Sequence, residues 1–479
     1  MSQIQSGLFT DLYELTMMQG YIIGEKNVQS QFDMFFRRQP FNGGFSIFAG
    51  LDPLLSIIEN ISFSSEDIEY LRSLGMFRDK FLEYLREFKF TGDIYAVDEG
   101  TAVFPNEPLI RVHAPLSEAQ LLESVILNII NYQTLVATKA ARIYSASNKG
   151  IILEFGMRRA HGINGALSAT RASFIGGAAA TSNTLAGKQF GIPAKGTMAH
   201  SWVMAFNSEH EAFEKYAELY PNATIVLIDT YSTLESGIKN AIEVGKRLKE
   251  KGLPFGVRLD SGDLYYLSRR VREELDKAGL TEAKIAVSNE LNEEIIHQLV
   301  TDNAPIDIWG VGTQMVTGGS ESSLTGVYKL AAIEKNGIMT PRMKISNNPE
   351  KTTNPGIKNV YRFYDKNGYA LNDLMAETEK EITEGKPYTL YHQSIDYKKT
   401  TLYSYETITQ LLNPKMQNGA ITAKRPSLED IQKKTYSQLD SLSCEYKRII
   451  NPHIYKVSLT RHLKEIKNKI AEEHSTDNV

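Results

Sequence analysis

The sequence predicts an α/β fold in which a barrel of parallel strands carries the functional residues. From residue 151 onwards, short apolar runs alternate with segments of helical pattern. The alternation repeats about every 25 to 35 residues, which is the length of one βα unit. Apolar strands separated by helices are typical of a parallel sheet. Six or more such units favour an (α/β) barrel, and a doubly wound sheet is the alternative.

Six apolar runs are interpreted as the strands of this sheet. They occupy residues 151–153, 194–196, 224–228, 255–257, 284–287 and 306–309. Nearly every run ends with an ionisable or hydrogen-bonding residue, and in a barrel these ends meet on the face where active sites form. The side chains expected to line one cavity there are Phe155, Arg158, His200, Asp229, Arg258, Asp260, Asn289 and Thr313.

The chain before the barrel is interpreted as a mixed α/β N-terminal domain, residues 1–130. Its expected elements are a helix over 8–21, a strand over 31–37, two or three strands within 90–112 and a long helix over 116–146. Thr10 or Asp11 is the expected N-cap of the first helix.

The barrel domain is expected at residues 131–345, and a C-terminal accessory region at 346–479 is expected to pack on the N-terminal domain. Asn, Pro and Gly at 347–349 and 353–356 predict loops. The expected elements beyond them are strands within 361–369 and 388–403, and helices over 427–438 and 457–473. The tail, 472–479, is expected to be mobile.

The composition is that of an ordinary globular protein of two or three domains. Hydrophobic residues make up 42% of the chain, charged residues make up 23%, and the net charge is −4. This charge gives no general attraction to nucleic acid or to an anionic membrane. The single cysteine, Cys444, excludes a disulfide framework and fits a reducing compartment. We recognise no signal peptide and no membrane-spanning run, so a cytoplasmic location is expected.

The segment 196–202, which reads GTMAHSW, places a histidine where a strand gives way to a helix-like run at 203–219. Thr197 and Ser201 offer hydroxyl groups beside His200. Backbone N–H groups at a helix start favour an anion, and a neutral imidazole there accepts a phosphoryl group or relays a proton. The alternative is a histidine whose nitrogens are satisfied by neighbouring carbonyl groups.

The residues at the strand ends suit a phosphorylated sugar. The turn at 310–313, which reads GVGT, allows close approach of the backbone to phosphate oxygens. Arg258 offers a planar fork for a carboxylate or a phosphate, and Phe155 offers an aromatic face for a planar ring. Asp260 and Asp263 would bind ribose hydroxyls or a magnesium ion that accompanies a diphosphate. No P-loop pattern is present, so any use of ATP requires another device.

Each of these residues also has a purely structural interpretation. Asp229 and Asp260 would cap the helices that follow them. Arg258 would be a buried ion-pair partner, and Gly310 and Gly312 would serve a tight turn only. Their shared position at the ends of strands favours the functional interpretation.

Six short motifs, in a fixed order between residue 10 and about residue 330, resemble those of one enzyme family. They are TDLYELTM at 10–17, EFGMRRA at 154–160, GTMAHSW at 196–202, IDTY at 228–231, VRLDSGD at 257–263 and GVGT at 310–313. In these motifs the chain resembles the nicotinate phosphoribosyltransferases. Met157 stands where that family more often has leucine, a change that conserves volume. The correspondence is weak after about residue 345.

The resemblance implies an enzyme that joins nicotinate to 5-phosphoribosyl 1-diphosphate with coupled ATP hydrolysis. Its products are nicotinate mononucleotide, diphosphate, ADP and phosphate, and this ATP-dependent ligase reaction feeds NAD biosynthesis. The implied fold is the irregular (α/β) barrel of type II phosphoribosyltransferases, plus a mixed α+β domain from N- and C-terminal segments. The resemblance also implies Mg²⁺ with the diphosphate and ATP, and a homodimer with shared active sites.

The resemblance assigns roles around the pyridine ring and the phosphoryl acceptor. His200 is expected to be the phosphohistidine formed from ATP, and Asp229 is expected to orient it or to contact the ring. Arg258 is expected to bind the nicotinate carboxylate. Phe155 is expected to stack on one face of the pyridine, and Tyr13 of the partner subunit is expected to stack on the other.

The phosphoribosyl group has its own expected contacts in this resemblance. Asp260 is expected to hold the ribose. Asn289, Gly312 and Thr313 are expected to hold the ribose phosphate. The remaining residues expected to bind substrate are Arg158, Asn183, Thr197 and Ser201.

Three alternatives to this function stay open in the sequence. A nicotinamide-specific relative would favour an acidic residue near the amide, whereas the candidate position here is the uncharged Asn183. A quinolinate phosphoribosyltransferase would be shorter, would use no ATP and would need a denser basic pocket. An inactive barrel that serves as a binding scaffold is disfavoured by the intact charged residues at the strand ends.

Overall fold

The structure is a computed structural model that divides into two compact units. One unit comprises Met1–Leu135 and Ser323–Val479, and the other comprises Val136–Ser322. The residues that the structure describes are 5–346, 351–377 and 381–475. The loop predicted at 347–349 and the end of the tail, 476–479, lie outside them.

Between residues 5 and 146 the structure describes six α-helices and five strands. They are α1 Leu12–Ile23, β1 Gln29–Phe36, β2 Ser46–Ile47, α2 Leu51–Glu59, α3 Ser65–Ser73, α4 Asp79–Arg86, β3 Asp93–Ala96, β4 Ala102–Val103, β5 Ile110–Pro115, α5 Leu116–Leu121 and α6 Glu123–Ala146. The helix predicted over 8–21 is confirmed as α1, which begins after the N-cap Asp11. The long helix predicted over 116–146 is interrupted at Leu122, between α5 and α6.

The Val136–Ser322 unit alternates strands with helices, as the sequence predicts. Its elements are β6 Ile151–Glu154, α7 Gly162–Ile175, β7 Ala180–Thr181, α8 Thr184–Phe190, α9 His200–Met204, α10 Glu209–Leu219, β8 Thr224–Leu227, α11 Ile238–Glu250, β9 Phe255–Leu259, α12 Leu264–Lys277, β10 Lys284–Val287, α13 Glu293–Thr301, β11 Ile308–Val311 and α14 Thr313–Val316. A 3-10 turn at Met157–Arg159 follows β6, and a π-helix at Thr233–Gly237 precedes α11.

The strands of this unit form one parallel sheet in the order β7-β6-β11-β10-β9-β8. The first full strand, β6, pairs with the last, β11, so that Glu154 lies opposite Val311. This closure between first and last strands is the order of a barrel and excludes the doubly wound alternative. Thr181 adds a single parallel bridge to Ala194. Within the described ranges no ladder joins Ala194 to β8, so the barrel is irregular and open on one side.

The apolar runs of these strands are buried, because parallel strands are covered on both faces. Val226, Val257, Ile285, Val287 and Val311 are completely inaccessible to solvent. Their burial anchors each strand and leaves the polar residue that follows it at the C-terminal rim of the sheet.

Two local predictions for this unit are wrong. The run at 194–196 is not a strand, because only the single bridge at Ala194 pairs it with Thr181. The helix-like run at 203–219 is two helices, because the side chain of Ser208 accepts a hydrogen bond of 3.1 Å from the Glu211 N–H and caps α10. The sequence also misses β7, since a strand of two residues shows no periodicity.

The C-terminal part of the chain is rich in antiparallel strands. Its elements are β12 Gly326–Lys335, β13 Ile338–Pro341, β14 Asn359–Tyr364, β15 Ala370–Ala376, β16 Tyr388–His392, β17 Lys399–Leu402, β18 Thr407–Gln410, β19 Asn413–Gln417, β20 Ala420–Ile421, α15 Leu428–Ser441, α16 Cys444–Lys447, β21 Val457–Leu459 and α17 Arg461–Ser475. The segment 457–473, predicted as one helix, begins with β21, which pairs in parallel with β15. Among the described residues no helix combines the length and the apolarity needed to cross a membrane.

Strands from both ends of the chain share one seven-stranded sheet, in the order β13-β12-β1-β5-β3-β19-β20. This sheet confirms the mixed domain built from N- and C-terminal segments. The unit boundaries differ from the predicted ones, because residues 323–345 join this sheet rather than the barrel. The reason is the antiparallel ladder between β1 and β12, which runs from Ser30 opposite Ile333 to Phe36 opposite Gly326.

Candidate active site

A cavity of about 350 Å³ lies at the C-terminal ends of the barrel strands. It is lined by Phe155, Arg158, Arg159, Ser182, Gly196, Thr197, Met198, Ala199, Arg258, Asp260, Ser288, Asn289, Glu290, Gly310, Gly312 and Thr313. The structure therefore brings together most of the residues predicted from the sequence. The predicted residues that line the cavity are Phe155, Arg158, Thr197, Arg258, Asp260, Asn289, Gly312 and Thr313.

Phe155 is held at the end of β6 by its neighbours on both sides. Its N–H donates to the carbonyl of Val311 at 2.8 Å. The buried carboxylate of Glu154 accepts hydrogen bonds from the Gly156 N–H and the Thr181 hydroxyl, both at 2.5 Å. These contacts fix the turn in which the Phe155 ring reaches the cavity wall.

Gly310 is required by the Phe155 ring. A Cβ atom placed on Gly310 would lie 2.7 Å from Phe155 Cδ2, closer than real Cβ contacts allow. Gly310 was predicted to let the backbone approach a phosphate group. In the structure its lack of a side chain leaves space for the Phe155 ring. Gly312 is also close to this turn, since its Cβ would lie 3.1 Å from the Phe155 carbonyl oxygen.

Arg258 presents a guanidinium group that is only partly satisfied by the protein. One of its terminal nitrogens donates to the Thr197 hydroxyl. Its Nε is buried and has no hydrogen-bond partner among the described residues. Burial lowers the pKa of Arg258, while the carboxylates of Asp260 and Asp229 oppose that shift. A buried donor of this kind suits an anionic ligand that reaches the cavity.

Two carboxylates, Asp229 and Asp260, are tied together beside the cavity. Asp229 Oδ2 accepts hydrogen bonds from the Asp260 N–H at 2.9 Å and from the Ser261 hydroxyl at 2.6 Å. The side chain of Asp260 accepts a hydrogen bond from the Ser288 hydroxyl. Asp229 Oδ1 is buried without a partner among the described residues. Neither aspartate caps the following helix; Asp263 does, by accepting from the Tyr266 N–H at 3.0 Å.

His200 begins α9 and lies next to the cavity rather than on its wall. Its Nδ1 lies 3.1 Å from the Thr230 hydroxyl, and its Nε2 lies 3.7 Å from Asp260 Oδ2. The polar contacts of the imidazole are with Thr230 and Asp260 and not with Asp229, which was expected to orient it or to contact the substrate ring. Asp260 thus connects the imidazole to the cavity.

Besides His200 and Asp229, which lie beside the cavity, three predicted residues do not line it. Asn183 is buried and caps α8, with its Oδ1 accepting from the Ala186 N–H at 3.2 Å and its Nδ2 donating to Thr170 at 3.3 Å. Ser201 is exposed on α9. Tyr13 belongs to the other unit, where it lies on α1 with 48% of its surface exposed.

The backbone at the end of β10 adopts an unusual conformation. Asn289 and Glu290 have φ angles of 80° and 43°. These values lie in the left-handed region, which residues other than glycine and asparagine rarely adopt. Such conformations cost about 1–3 kcal/mol each and cluster at functional sites. Both residues line the cavity, so the surrounding fold holds this turn in place for it.

The sequence reasoning missed several residues at this site. Ser288 and Thr230 contact Asp260 and His200, and Ser182, Arg159 and Glu290 line the cavity. Ser288, Glu290 and Thr230 immediately neighbour residues chosen at the ends of strands. The same rule, applied to every polar residue within three positions after a strand end, would have found these three.

The barrel and the convergence of basic, acidic and aromatic side chains at its strand ends define an enzyme that acts on small molecules. Three models of the nicotinate phosphoribosyltransferase (NAPRTase) family match the chain: the N-terminal domain at residues 8–131, the family model at 151–379 and the C-terminal domain at 357–467. A nicotinate phosphoribosyltransferase of Bacillus subtilis is 43% identical over 480 residues, with 97% of each chain covered. The chain belongs to the nicotinate phosphoribosyltransferase family, a family of enzymes.

Other relatives agree over nearly the full length. The human nicotinate phosphoribosyltransferase is 32% identical, with 97% of this chain and 96% of the relative covered. The crystal structure of human nicotinic acid phosphoribosyltransferase superimposes with a TM-score of 0.85 at 30% identity, covering 96% of this chain and 99% of the other. A nicotinate-nucleotide pyrophosphorylase from Pyrococcus furiosus, with a TM-score of 0.67 at 21% identity over 91% of this chain and 95% of the other, shares the fold. The match at residues 357–467 extends the family resemblance beyond the segment in which the motifs are found.

Proposed function

We propose that this chain joins nicotinate to 5-phosphoribosyl 1-diphosphate, with coupled ATP hydrolysis, and so forms nicotinate mononucleotide and diphosphate for NAD biosynthesis. The observation that carries the proposal is Arg258, which lines the cavity and whose buried Nε has no hydrogen-bond partner among the described residues. The relatives named nicotinate phosphoribosyltransferase support the same substrate. The single cysteine and the net charge of −4 fit a cytoplasmic enzyme.

The pyridine carboxylate would bind to the guanidinium of Arg258. An unpaired buried donor costs about 1–3 kcal/mol, which an entering carboxylate would relieve through a charge-assisted hydrogen bond. The Thr197 hydroxyl holds one terminal nitrogen, so the guanidinium is oriented before substrate binds. Nicotinamide has no carboxylate to make this contact, which favours nicotinate over the amide.

The pyridine ring would lie against Phe155, whose ring is set by Gly310. Catalysis would require the ring nitrogen in this position to face C1 of the ribose. Displacement of diphosphate from C1 passes through a cation-like ribosyl transition state, as at glycosidic centres. Asp260, fixed by Ser288, supplies negative charge beside that centre, and Asn289, Gly312 and Thr313 would hold the ribose phosphate.

Magnesium would accompany the diphosphate and ATP in this proposal. Mg²⁺ in such sites is held by one or two carboxylates together with substrate phosphates. Asp260 at the cavity and Asp229, with its buried unpartnered Oδ1, fit that requirement. The described ranges contain no group of three or more His, Cys, Asp or Glu side chains arranged for a metal. When bound, the ion would neutralise charge on the departing diphosphate.

His200 would accept the γ-phosphoryl group of ATP. The resulting phosphohistidine adds negative charge and three acceptor oxygens beside Asp260, and so links ATP use to the state of the cavity. The distance of 3.7 Å from His200 Nε2 to Asp260 Oδ2 supports this link.

Product analysis with each pyridine tests the proposal. Purified protein is incubated with 5-phosphoribosyl 1-diphosphate and nicotinate, nicotinamide or quinolinate, with and without ATP, and products are separated by chromatography. We expect nicotinate mononucleotide as the main product, formed faster with ATP. Preferential use of another pyridine would assign the chain to one of the alternatives, and no product with any of them would favour a binding scaffold.

Gly310→Ala is expected to raise the KM for nicotinate by about tenfold. The new Cβ displaces the Phe155 ring, and overpacking of this kind costs about 1–3 kcal/mol. Steady-state kinetics at saturating 5-phosphoribosyl 1-diphosphate measure the effect. The double variant Gly310→Ala with Phe155→Leu is the control, because the smaller side chain relieves the clash and should recover part of the protein stability lost in the single variant. An unchanged KM for nicotinate in the single variant would show that Phe155 does not bind the pyridine ring.

Tyr13 is proposed to complete the active site of the partner subunit in a homodimer. Its exposed ring on α1 is available for such a contact. Tyr13→Ala and Arg258→Ala proteins are each expected to be nearly inactive. Mixing them should restore up to about a quarter of the wild-type activity, because a hybrid dimer carries one intact site. No recovery after subunit exchange has been demonstrated would contradict a shared site.

A further inference from the structure

The imidazole of His200 lies between a hydroxyl and a carboxylate. Thr230 Oγ1 is 3.1 Å from Nδ1, and Asp260 Oδ2 is 3.7 Å from Nε2. The His200 side chain is 40% exposed, so these two contacts, rather than close packing, set the orientation of the ring. The family motifs and the proposed function assign no role to Thr230.

The two contacts select one tautomer of the neutral ring. A neutral imidazole has one nitrogen that donates and one that accepts. An ionised carboxylate only accepts, so Asp260 favours a proton on Nε2 and repels a lone pair there. Nδ1 then carries the lone pair, and the Thr230 hydroxyl donates to it. If the ring turned over, Nδ1–H would face the carboxylate, and the hydroxyl would lie beside Nε2.

Thr230 is well placed to hold this orientation, because its backbone is fixed on both sides. The Ile228 N–H donates to the Arg258 carbonyl at 3.1 Å. On the other side, the Ser232 carbonyl accepts from the Gly237 N–H at 2.9 Å and closes the π-helix. Gly237 packs directly on the Ile228 carbonyl, where an added Cβ would lie at 1.9 Å. A π-helix is rare and recurs at functional sites.

Asp260 is equally fixed, so the selection does not depend on a mobile carboxylate. Its side chain accepts a hydrogen bond from Ser288, and its N–H donates to Asp229 at 2.9 Å. The Thr230 hydroxyl and the Asp260 carboxylate are therefore both held in place beside the imidazole ring.

We propose that Thr230 is a positioning residue that holds His200 in the Nε2–H tautomer, with the Nδ1 lone pair presented for phosphoryl transfer. This inference rests on the proposed phosphorylation of His200. In the step, the Nδ1 lone pair forms the N–P bond with the γ-phosphorus of ATP. The bond from that phosphorus to the bridging oxygen breaks, and its electron pair leaves with ADP. The proton stays on Nε2 beside Asp260, and the Thr230 hydroxyl turns from Nδ1 to a phosphoryl oxygen.

The tautomer is measured directly in the full-length protein with nitrogen-15-labelled histidine. Two-bond proton–nitrogen correlation spectra at one fixed pH distinguish Nε2–H from Nδ1–H, and a His200→Asn variant identifies the His200 signals among the nine histidines. We expect the Nε2–H form in the wild type. Thr230→Val should shift the His200 signals towards a mixture of forms, whereas Thr230→Ser should keep the wild-type pattern because it keeps the hydroxyl. Thr233→Val, three residues further along, is the matched control and should leave the His200 signals in place.

The rate of phosphohistidine formation gives a second readout. With ATP labelled at the γ position, Thr230→Val is expected to form phosphohistidine about tenfold more slowly, the effect of one lost hydrogen bond. The KM for nicotinate in reactions without ATP should stay at the wild-type value. Thr230→Ser and Thr233→Val should label at the wild-type rate. Phosphorus–nitrogen coupling in the labelled protein should place the phosphoryl group on Nδ1.

The outcomes separate this inference from the proposed function. If the wild type forms no phosphohistidine, the ATP-coupled part of the proposed function is wrong. The spectra would then still test whether Thr230 keeps the proton of His200 on Nε2. A wild-type proton on Nδ1, or an unchanged His200 spectrum in Thr230→Val, overturns the inference. Equal loss in Thr230→Val and Thr230→Ser also overturns it, because the hydroxyl would then have no part in the effect.

Discussion

Replacement of His200 by alanine is expected to abolish ATP hydrolysis and to leave a slower, uncoupled transfer of the phosphoribosyl group. The imidazole is the proposed phosphoryl acceptor, while the residues proposed to bind nicotinate and ribose line the cavity without it. In the wild type, ATP labelled at the γ position should give a labelled protein whose label is labile in acid and stable in base. The label should be absent from His200→Ala.

His210→Ala is the matched control for this experiment. His210 lies on α10 in the same unit and pairs with Glu243 at 3.2 Å. It does not line the cavity, so its loss should leave both labelling and transfer near the wild-type level. Normal ATP hydrolysis by His200→Ala would remove His200 from the proposed mechanism.

Arg258→Lys is expected to raise the KM for nicotinate by about tenfold or more. The substitution keeps a positive charge but loses the planar fork, and a charge-assisted hydrogen bond of this kind is worth about 1.5–3 kcal/mol. It also loses the donor that faces Thr197, so the remaining cation is less well oriented. Nicotinamide has no carboxylate, and its poor use should change little. Michaelis constants for the two pyridines in wild type and variant measure the difference.

Arg247→Lys serves as the control for a general effect of losing a guanidinium group. Arg247 pairs with Glu214 in the same unit and does not line the cavity. It should leave both Michaelis constants unchanged. Equal losses for nicotinate and nicotinamide in Arg258→Lys would show that Arg258 supports the phosphoribosyl group or the fold, not the ring acid.

The prediction of the barrel succeeds because burial on both faces leaves a continuous apolar run in each strand. The runs at 224–228, 255–257 and 284–287 correspond to β8, β9 and β10. The prediction fails where an element is too short to show a pattern or depends on a distant partner. β7 has two residues, and the run at 194–196 is held by one bridge.

The position of β12 illustrates a limit of local pattern. The composition of the chain does not change between the barrel and β12. We therefore predicted from the sequence that residues up to 345 belong to the barrel. The structure pairs β12 with β1, almost 300 residues earlier in the chain. A strand carries donors and acceptors on both edges, so its own sequence does not specify which strand it will join.

The sequence by itself determined which residues stand at the rim of the barrel. Arg258, Asp260 and Asn289 follow buried strands, and parallel strands bring their C-terminal ends to one edge whatever the details of packing. The motifs around these residues were also sufficient to indicate the family. These features follow from order along the chain and from burial, which the sequence encodes directly.

Only the tertiary structure decided which atoms these residues contact. In the structure Asn183 caps a helix, Asp229 accepts a hydrogen bond from the Asp260 N–H, and the Thr230 hydroxyl lies beside the His200 ring. The contacts of Asp229 with Asp260 and of Thr230 with His200 join residues about 30 positions apart. They depend on side-chain rotamers and on distances of about 3 Å that no local pattern fixes. The chemistry of the rim is therefore readable in the sequence, whereas the hydrogen-bond geometry that orients it arises when the strands are assembled.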